Sequence, residues 1–279
     1  ERALRDARER GVLGDGFDVE LFVSPGGYIL GEETALLEAL EDRRGEPRNK
    51  PPYPGQKGLW GKPTLVNNVE TFAFVPWILR HGADAWRALG VRGHAGLKFM
   101  AVSGHVARPG VYEIPMGTTV AELLARAGGV AGGRRLKAFL PGGASSNFLP
   151  AERADVEIDF DSIRDAGSML GSGALVVVAE GTDMIEAATN VVRFFRNESC
   201  GKCVPCRVGT DKVVAMLEAI LAGRGDGALL EWLPELEETL AQTSICGLGQ
   251  VAVNPLTSAL RYWKDELYAH LAAAGEETR

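Results

Sequence analysis

The sequence has few cysteines and no long hydrophobic run. Only four of its 279 residues are cysteine, and this is too few for the disulfide framework of a secreted protein of this length. No stretch approaches the roughly 18 apolar residues that a transmembrane helix needs, so we expect no direct insertion into a membrane. Both absences favour a cytoplasmic protein, and any association with the inner face of the cell membrane would be peripheral, through partner subunits.

The chain is also short of positive charge. It has 30 lysines and arginines against 37 aspartates and glutamates, a net charge of −7, which argues against general binding to nucleic-acid phosphates. Its four histidines are scattered and suggest no metal site. The first residues, ERALRDARERGVLG, contain neither an initiator Met nor the apolar core of a signal peptide. They resemble the middle of a helix, so we expect further sequence to precede Glu1.

What the chain does contain is 46% hydrophobic residues, enough for two or three cores. The first predicted region, residues 1–95, belongs to an α/β domain. Its long Pro- and Gly-containing loop indicates a functional segment. The predicted elements of this region, in chain order, are an opening helix, a short strand at 19–24, a helix at 31–42, the loop at 43–64, and a helix capped by Asn67 or Asn68.

Two further regions follow. Residues 96–160 read strand, strand, helix, strand, with a capping box formed by Thr119 and Glu122. This order predicts a small α+β domain of the β-grasp type. Residues 168–279 begin with a buried strand, GALVVVAE, and then show apolar positions at helical spacing in four segments. Four helices with short connections predict an antiparallel bundle.

The cysteines have the spacing of a metal centre. Cys200, Cys203 and Cys206 form C-x2-C-x2-C, and Cys246 follows at a distance. Three close thiolates and one remote thiolate can complete the Cys₄ ligation of a [4Fe–4S] cluster. Structural zinc is an alternative, although its Cys₄ sites usually consist of two separated pairs. A redox dithiol, a third possibility, would need only two of these residues.

Several motifs together resemble one family, the NADH-binding flavoprotein subunit of respiratory complex I. The same module occurs in the diaphorase subunits of NAD-reducing hydrogenases and NAD-dependent formate dehydrogenases. The motifs, in the family's order, are G-x-Y-x-x-G-E-E-T-A-L-L (26–37), K-P-P-Y-P (50–54), G-L-W-G-x-P-T (58–64), V-N-N-V-E-T (66–71), E-S-C-G-K-C-x-P-C-R-x-G-T (198–210) and S-x-C-G-L-G (244–249).

The resemblance implies specific chemistry and partners. It implies FMN, oxidation of NADH by hydride transfer, and release of single electrons to a [4Fe–4S] cluster. It also implies an SLBB (soluble-ligand-binding β-grasp) domain in the middle of the chain and a helical cluster domain at its end. The expected partners are a thioredoxin-like [2Fe–2S] subunit and an iron–sulfur electron-relay subunit. The motifs do not distinguish complex I from the hydrogenases and formate dehydrogenases.

The same resemblance places a flavin and nicotinamide pocket at Tyr28, Gly31, Glu32 and Glu33. The Glu33 carboxylate is the candidate catalytic group, since it can accept a hydrogen bond from the nicotinamide amide. The alternative is that both glutamates only favour the start of a helix by opposing its dipole.

Asn67, Asn68 and Thr71 match the family's flavin-binding V-N-N-V-E-T. An amide side chain can serve both donor and acceptor edges of a flavin, although an ordinary helix cap is the alternative. For the nearby aromatic residues Trp60, Phe72 and Phe74, we expect core packing.

The chain also departs from the family's pattern. Pro25 stands in the usual Gly-Ala-Gly-Ala run and removes an amide donor. The family's glycine-rich flavin loop would lie upstream of Glu1. A non-catalytic iron–sulfur and SLBB assembly module is therefore the alternative function.

Overall fold

A computed structural model describes residues 1–225 and 227–276 of the chain. Residue 226 and residues 277–279 belong to the predicted third region and lie outside the described residues. The chain divides into two compact units, Glu1–Leu65 and Val66–Arg279. Each is described by itself below.

The first unit is built around one short amphipathic helix. Its helices are α1 (Arg2–Glu9), α2 (Glu33–Leu40) and α3 (Pro54–Lys57), with 3₁₀ turns at Tyr28–Gly31 and Leu59–Gly61. Helix α2 buries Ala35, Leu37 and Ala39, in agreement with the predicted helix at 31–42. The long loop that follows is held by Arg48, whose guanidinium donates a hydrogen bond to the Gly58 carbonyl at 3.0 Å.

The strand predicted at residues 19–24 is wrong. This segment has no strand assignment in the structure, and Leu21, Phe22 and Val23 are exposed. Alternating apolar residues produced the prediction. A strand also needs a neighbour that completes its backbone hydrogen bonds, and this segment pairs with none among the described residues.

The second unit contains a mixed sheet. Its strands are β1 (Leu97–Gly104), β2 (Gly110–Pro115), β3 (Leu136–Leu140), β4 (Leu149–Pro150) and β5 (Ala174–Ala179). Among the described residues these five form one sheet in the order β2-β1-β5-β3-β4. Strand β5 runs parallel to β1 and antiparallel to β3. The predicted strands of the β-grasp region are confirmed, and so is the capping box, because Thr119 and Glu122 exchange both of its hydrogen bonds.

Strand β5 lies at the centre of this sheet. The sequence analysis placed it at the start of the third region, but its hydrogen bonds join it to both β1 and β3. Because strand side chains alternate between faces, Val177 packs in the core beneath the sheet with Met100. Its neighbour Val178 packs on the opposite face with the helical region, where it meets Ile185. Strand β5 therefore contributes to two hydrophobic cores, one on each face of the sheet.

The helices of the second unit follow the predicted pattern. They are α4 (Val69–His81), α5 (Ala83–Arg87), α6 (Val120–Arg126), α7 (Phe160–Asp165), α8 (Met184–Glu198), α9 (Val204–Leu221), α10 (Leu229–Thr243), α11 (Gly247–Gln250) and α12 (Asn254–Glu276). Helix α8 packs against α9 and α12, and α10 packs against α9. These four form the predicted bundle. Its fully buried side chains include Val192, Val213, Leu217 and Leu256.

Candidate functional site

The four cysteines lie at helix ends on one side of the bundle. Cys200 follows the last turn of α8, and Cys203 is the N-cap residue of α9. Cys206 lies in the first turn of α9, and Cys246 is the N-cap residue of the short helix α11. Cys206 is 5% exposed and Cys246 9% exposed, while the other two are half-buried. The four cysteines, called the cysteine centre below, therefore comprise two buried and two more exposed side chains.

The chain turns sharply between α8 and α9, where three of the four cysteines lie. Gly201 adopts φ 76°, a left-handed conformation that glycine tolerates well. The Arg207 guanidinium donates a hydrogen bond to the Gly201 carbonyl and closes the loop. Pro205 lies in the first turn of α9, where its missing N–H leaves no helix hydrogen bond unmade.

A side-chain hydroxyl hydrogen-bonds one of the two buried sulfurs. Ser199 Oγ lies 3.2 Å from Cys206 Sγ. Cys246 makes no side-chain cap hydrogen bond at the start of α11, but the nearby backbone amides of Leu248 and Gly249 favour its thiolate form. The start of a helix stabilises a thiolate in this way.

Burial raises the pKa of the Cys206 thiol to about 11. The hydrogen bond with Ser199 opposes this rise, and the charges of the other three cysteines add to it. Burial likewise raises the pKa of Cys246. Thiolates at these positions therefore need a cationic partner.

The residues fit an iron–sulfur cluster. Within the part of the chain that the structure describes, no three His, Cys, Asp or Glu side chains are spaced to hold a single metal ion. The four thiols are nevertheless near enough to influence one another electrostatically. Ser244 Oγ is buried beside them and has no hydrogen-bond partner among the described residues. A four-thiolate set with an unpaired polar atom suits a group larger than one ion, as the cluster prediction requires.

In the first unit, Lys50 joins the two predicted pocket glutamates. Its ammonium donates to Glu32 Oε1 and to Glu33 Oε1, both at 2.9 Å. The other oxygen of Glu32 accepts from the amides of Thr34 and Ala35 at 3.0 and 2.9 Å. Glu32 is therefore the N-cap of α2. Glu33 has a single hydrogen bond among the described residues and is 41% exposed.

The charges in this group reinforce one another. Burial disfavours the ionised form of Glu32, but hydrogen bonds from Thr34 and Lys50 outweigh it and lower the pKa of the carboxyl. Burial also disfavours the ammonium of Lys50, yet its hydrogen bonds to Glu33 and Glu32 outweigh that effect and raise its pKa. The result is a compact group in which two carboxylates share one ammonium.

Beside this group, Tyr28 and Gly31 begin and end a 3₁₀ turn. Tyr28 is partly exposed. No atom lies within 4 Å of the point that a Cβ of Gly31 would occupy, so there is open space beside this backbone. The turn thus presents an aromatic ring and an uncovered backbone segment next to the carboxylates.

The remaining predicted residues lie in the second unit, at the start of α4. Asn68 is its N-cap and accepts from the Glu70 amide at 2.7 Å, while Asn67 Oδ1 accepts from the Asn68 amide. Asn67, Asn68 and Thr71 are exposed. Glu70 fixes this helix start to β1, because it accepts from the Phe99 amide at 2.8 Å and pairs with the Lys98 ammonium.

The expectation of core packing holds for only one of the three nearby aromatic residues. Phe74 packs against Trp86 and Phe99, with ring centroids 4.7 and 5.7 Å apart. Phe72 and Trp60 are 56% and 69% exposed, so the expectation is wrong for both. The helical period of α4 turns Phe72 away from the sheet.

Sequence reasoning missed Lys50, Glu70 and Ser199 as partners of the predicted site residues. Each lies inside a motif that was recognised, so the signal was present. Their roles depend on pairings that only the folded chain shows.

Comparison with family models gives three matches. Residues 1–77 match the Nuo51 FMN-binding domain, residues 99–146 the SLBB domain, and residues 186–270 the NADH-ubiquinone oxidoreductase-F iron–sulfur binding region. Across the described residues, no helix combines the length and apolar character needed to cross a membrane.

Known proteins match nearly the whole chain. The F subunit of the NADH-quinone oxidoreductase of Mycobacterium tuberculosis (strain ATCC 25618 / H37Rv) is 44% identical over 268 residues, covering 95% of this chain and 60% of the relative. The HndC subunit of the NADP-reducing hydrogenase of Solidesulfovibrio fructosivorans is 40% identical, covering 97% and 57%. A crystal structure of an NAD+-reducing [NiFe]-hydrogenase in the H2-reduced state matches with TM-score 0.86 and 37% identity, covering 97% of this chain and 47% of that chain.

An FMN-binding region, an SLBB domain and a [4Fe–4S] region in this order define a class of iron–sulfur flavoprotein subunits. The chain belongs to the family of NADH-quinone oxidoreductase F subunits and their hydrogenase counterparts. It spans about 60% of the length of the NADH-quinone oxidoreductase relative it matches in Mycobacterium tuberculosis.

Proposed function

We propose that the chain is the cluster-bearing part of an NADH-oxidising flavoprotein subunit. The observation that carries this is the four-cysteine centre at the helix ends, within a chain that matches the FMN-binding and iron–sulfur models together. When bound, FMN supplies the conversion of a hydride into single electrons, and the [4Fe–4S] cluster supplies their one-electron relay. Within this proposal the protein contributes binding, orientation and electrostatics.

Cys200, Cys203, Cys206 and Cys246 are the proposed cluster ligands. Their support is the spacing of the cysteines in the sequence, the burial of two of them, and the Ser199 hydroxyl beside Cys206 Sγ. Replacing Cys246 by serine should abolish stoichiometric iron and sulfide binding, because one of four ligands is lost. Full zinc loading of the natively purified wild-type site, without iron, would contradict this assignment.

For the flavin and nicotinamide pocket, Glu33 is the proposed catalytic carboxylate. Its support is its exposure and its single hydrogen bond to Lys50, which leaves one oxygen available to a nicotinamide amide. Glu32, whose two oxygens are engaged, is proposed to shape the pocket by fixing the start of α2 and the position of Lys50. Tyr28 and Gly31 are proposed to border the bound rings.

Asn67, Asn68 and Thr71 are proposed to contact the flavin. The oxygen of Asn68 caps α4, so its amide NH₂ is the group proposed to face an acceptor on FMN. Because Glu70 fixes the helix start to β1, these exposed side chains are held in place before any ligand binds. Such preorganisation lowers the cost of binding.

The deciding experiment compares Glu33→Gln with Glu32→Gln in the complete subunit. Glu33→Gln should lower kcat/KM for NADH, since a neutral amide is a weaker acceptor. Glu32→Gln should act mainly on stability, because it weakens a helix cap. An unchanged NADH rate in Glu33→Gln would remove the catalytic assignment and favour the non-catalytic assembly module.

The relatives are subunits by name, and we propose that this chain also works with partner subunits. The specific proposal is a thioredoxin-like [2Fe–2S] subunit and an iron–sulfur relay subunit, in a cytoplasmic assembly that is peripheral to the membrane. We further propose that residues 1–95, 96–160 and 168–279 are its functional regions, for flavin and NADH, for the SLBB domain, and for the cluster. Co-purification of the intact complex tests the partners.

A further inference from the structure

The Ser199 side chain hydrogen-bonds a cysteine sulfur of the centre. Ser199 caps the C-terminal end of α8, and its Oγ lies 3.2 Å from Cys206 Sγ. The other buried sulfur, that of Cys246, makes no side-chain cap hydrogen bond at the start of α11. The contact comes from a side chain, so a point substitution of Ser199 can remove it.

The direction of this hydrogen bond follows from the ionisation state of the cysteine. The Gly201 amide donates to the same Oγ at 3.2 Å, so this oxygen already acts as an acceptor. A thiolate ligand carries no proton and can only accept. The Ser199 hydroxyl must therefore be the donor, and Cys206 Sγ the acceptor, whenever the cysteine is a ligand.

The surroundings strengthen the effect of this donor. Cys206 is 5% exposed and lies in the first turn of α9. In a site from which water is largely excluded, a hydrogen bond acts more strongly on a charge than it does in water. Hydrogen bonds to cluster sulfurs are among the factors that set the reduction potential of an iron–sulfur centre.

We propose that Ser199 is a positioning residue that raises the reduction potential of the centre by donating its hydroxyl hydrogen bond to the Cys206 thiolate. The reduced centre carries one more negative charge than the oxidised centre, so a donor to a ligand sulfur stabilises the reduced form more. One electron is gained and no proton moves: the hydroxyl keeps its proton throughout. This inference rests on the proposed ligation by the four cysteines.

The test compares variants of the full chain with the cluster assembled. Ser199→Ala and Ser199→Gly remove the donor, and Ser199→Thr keeps it. Thr189→Val is the control, because it removes a buried hydroxyl within α8 that donates to the Ile185 carbonyl at 2.7 Å and not to a cysteine sulfur. The readout is the midpoint potential, from redox titration followed by electron paramagnetic resonance, with iron and sulfide content measured in each sample.

We expect a negative shift of the midpoint potential in Ser199→Ala and Ser199→Gly, and a near wild-type value in Ser199→Thr and Thr189→Val. An assembled cluster with an unmoved potential in both donor-free variants would overturn the role of Ser199 and leave the ligand assignment intact. Failure of the wild-type chain to assemble any iron–sulfur cluster would instead overturn the proposed function.

A measurement on the wild-type chain covers the case in which the variants do not assemble. Resonance Raman spectra in H₂O and D₂O should show deuterium-sensitive Fe–S(Cys) stretching bands, because an exchangeable hydroxyl proton touches a ligand sulfur. Bands that do not move on exchange would overturn the proposed hydrogen bond. Where Ser199→Thr assembles, it should keep the sensitivity.

Discussion

Replacing Gly249 by alanine is expected to destabilise the cysteine-bearing end of the bundle, whereas the same replacement at Gly247 is not. Both glycines lie in the C-G-L-G motif and in helix α11. They differ in what surrounds them. The pair therefore separates the effect of close packing from the effect of adding a methyl group to this helix.

The magnitude follows from the distances around Gly249. A Cβ there would lie 2.6 Å from Ser244 Oγ, 2.7 Å from Ser244 Cβ and 3.0 Å from Cys206 Cβ. Rotation of the Ser244 side chain can relieve only the first contact, so the backbone must shift. Overpacking of this kind costs about 1–3 kcal/mol. At Gly247 no atom lies within 4 Å of the added Cβ, and alanine favours a helix over glycine.

The assay is urea unfolding of the iron-free chain, followed by far-ultraviolet circular dichroism. Working without iron isolates protein packing from cluster binding. The free energy of unfolding of Gly249→Ala should fall by about 1–3 kcal/mol relative to Gly247→Ala. A difference below about 0.5 kcal/mol, the ordinary spread for benign substitutions, would refute the packing argument at this site.

Three further predictions concern the second unit. Thr119→Ala removes the side-chain cap of α6 and should lower the free energy of unfolding by about 1 kcal/mol, with Thr119→Ser as the control that retains it. The hydrogen bond from Arg92 lowers the pKa of Glu122 to about 2 from its ordinary value of 4.5. The stability that the Glu122 carboxylate contributes is therefore present above pH 4.5 and is lost as the pH falls through about 2. The difference in urea midpoint between wild type and Glu122→Gln should close over the same range of pH. Glu70→Gln leaves the Lys98 ammonium without its ionic partner and should speed amide hydrogen exchange in the first turn of α4. Unchanged exchange of these amides would contradict the anchoring role of Glu70.

Local sequence signals predicted much of this fold correctly. The capping box of Thr119 and Glu122 formed as expected, because it depends only on residues three apart. The bundle helices were predicted because their apolar positions repeat at the helical period over several turns. The strand at 19–24 was predicted from the same kind of local pattern, but a strand depends on a partner that no local pattern contains.

The site was predictable in its composition and less so in its contacts. Spacing alone identified the four cysteines as a set. It did not reveal Ser199 as a donor, because that contact depends on how the loop between α8 and α9 closes. The pairing of Lys50 with Glu32 and Glu33 likewise joins a residue of the long loop to the start of the preceding helix. Both contacts form only when the chain folds, and no local sequence pattern contains them.

The central position of β5 limits how this protein can be divided. A fragment that stops at residue 160 would contain β1 and β3 but not the strand between them. Two unpaired strand edges would then face solvent, and such edges invite aggregation. Recombination or engineering that exchanges the SLBB domain must carry residues 174–179 with it. The helices that carry the four cysteines begin only a few residues later, so an exchange of the domain also affects the segment that leads into the cysteine centre.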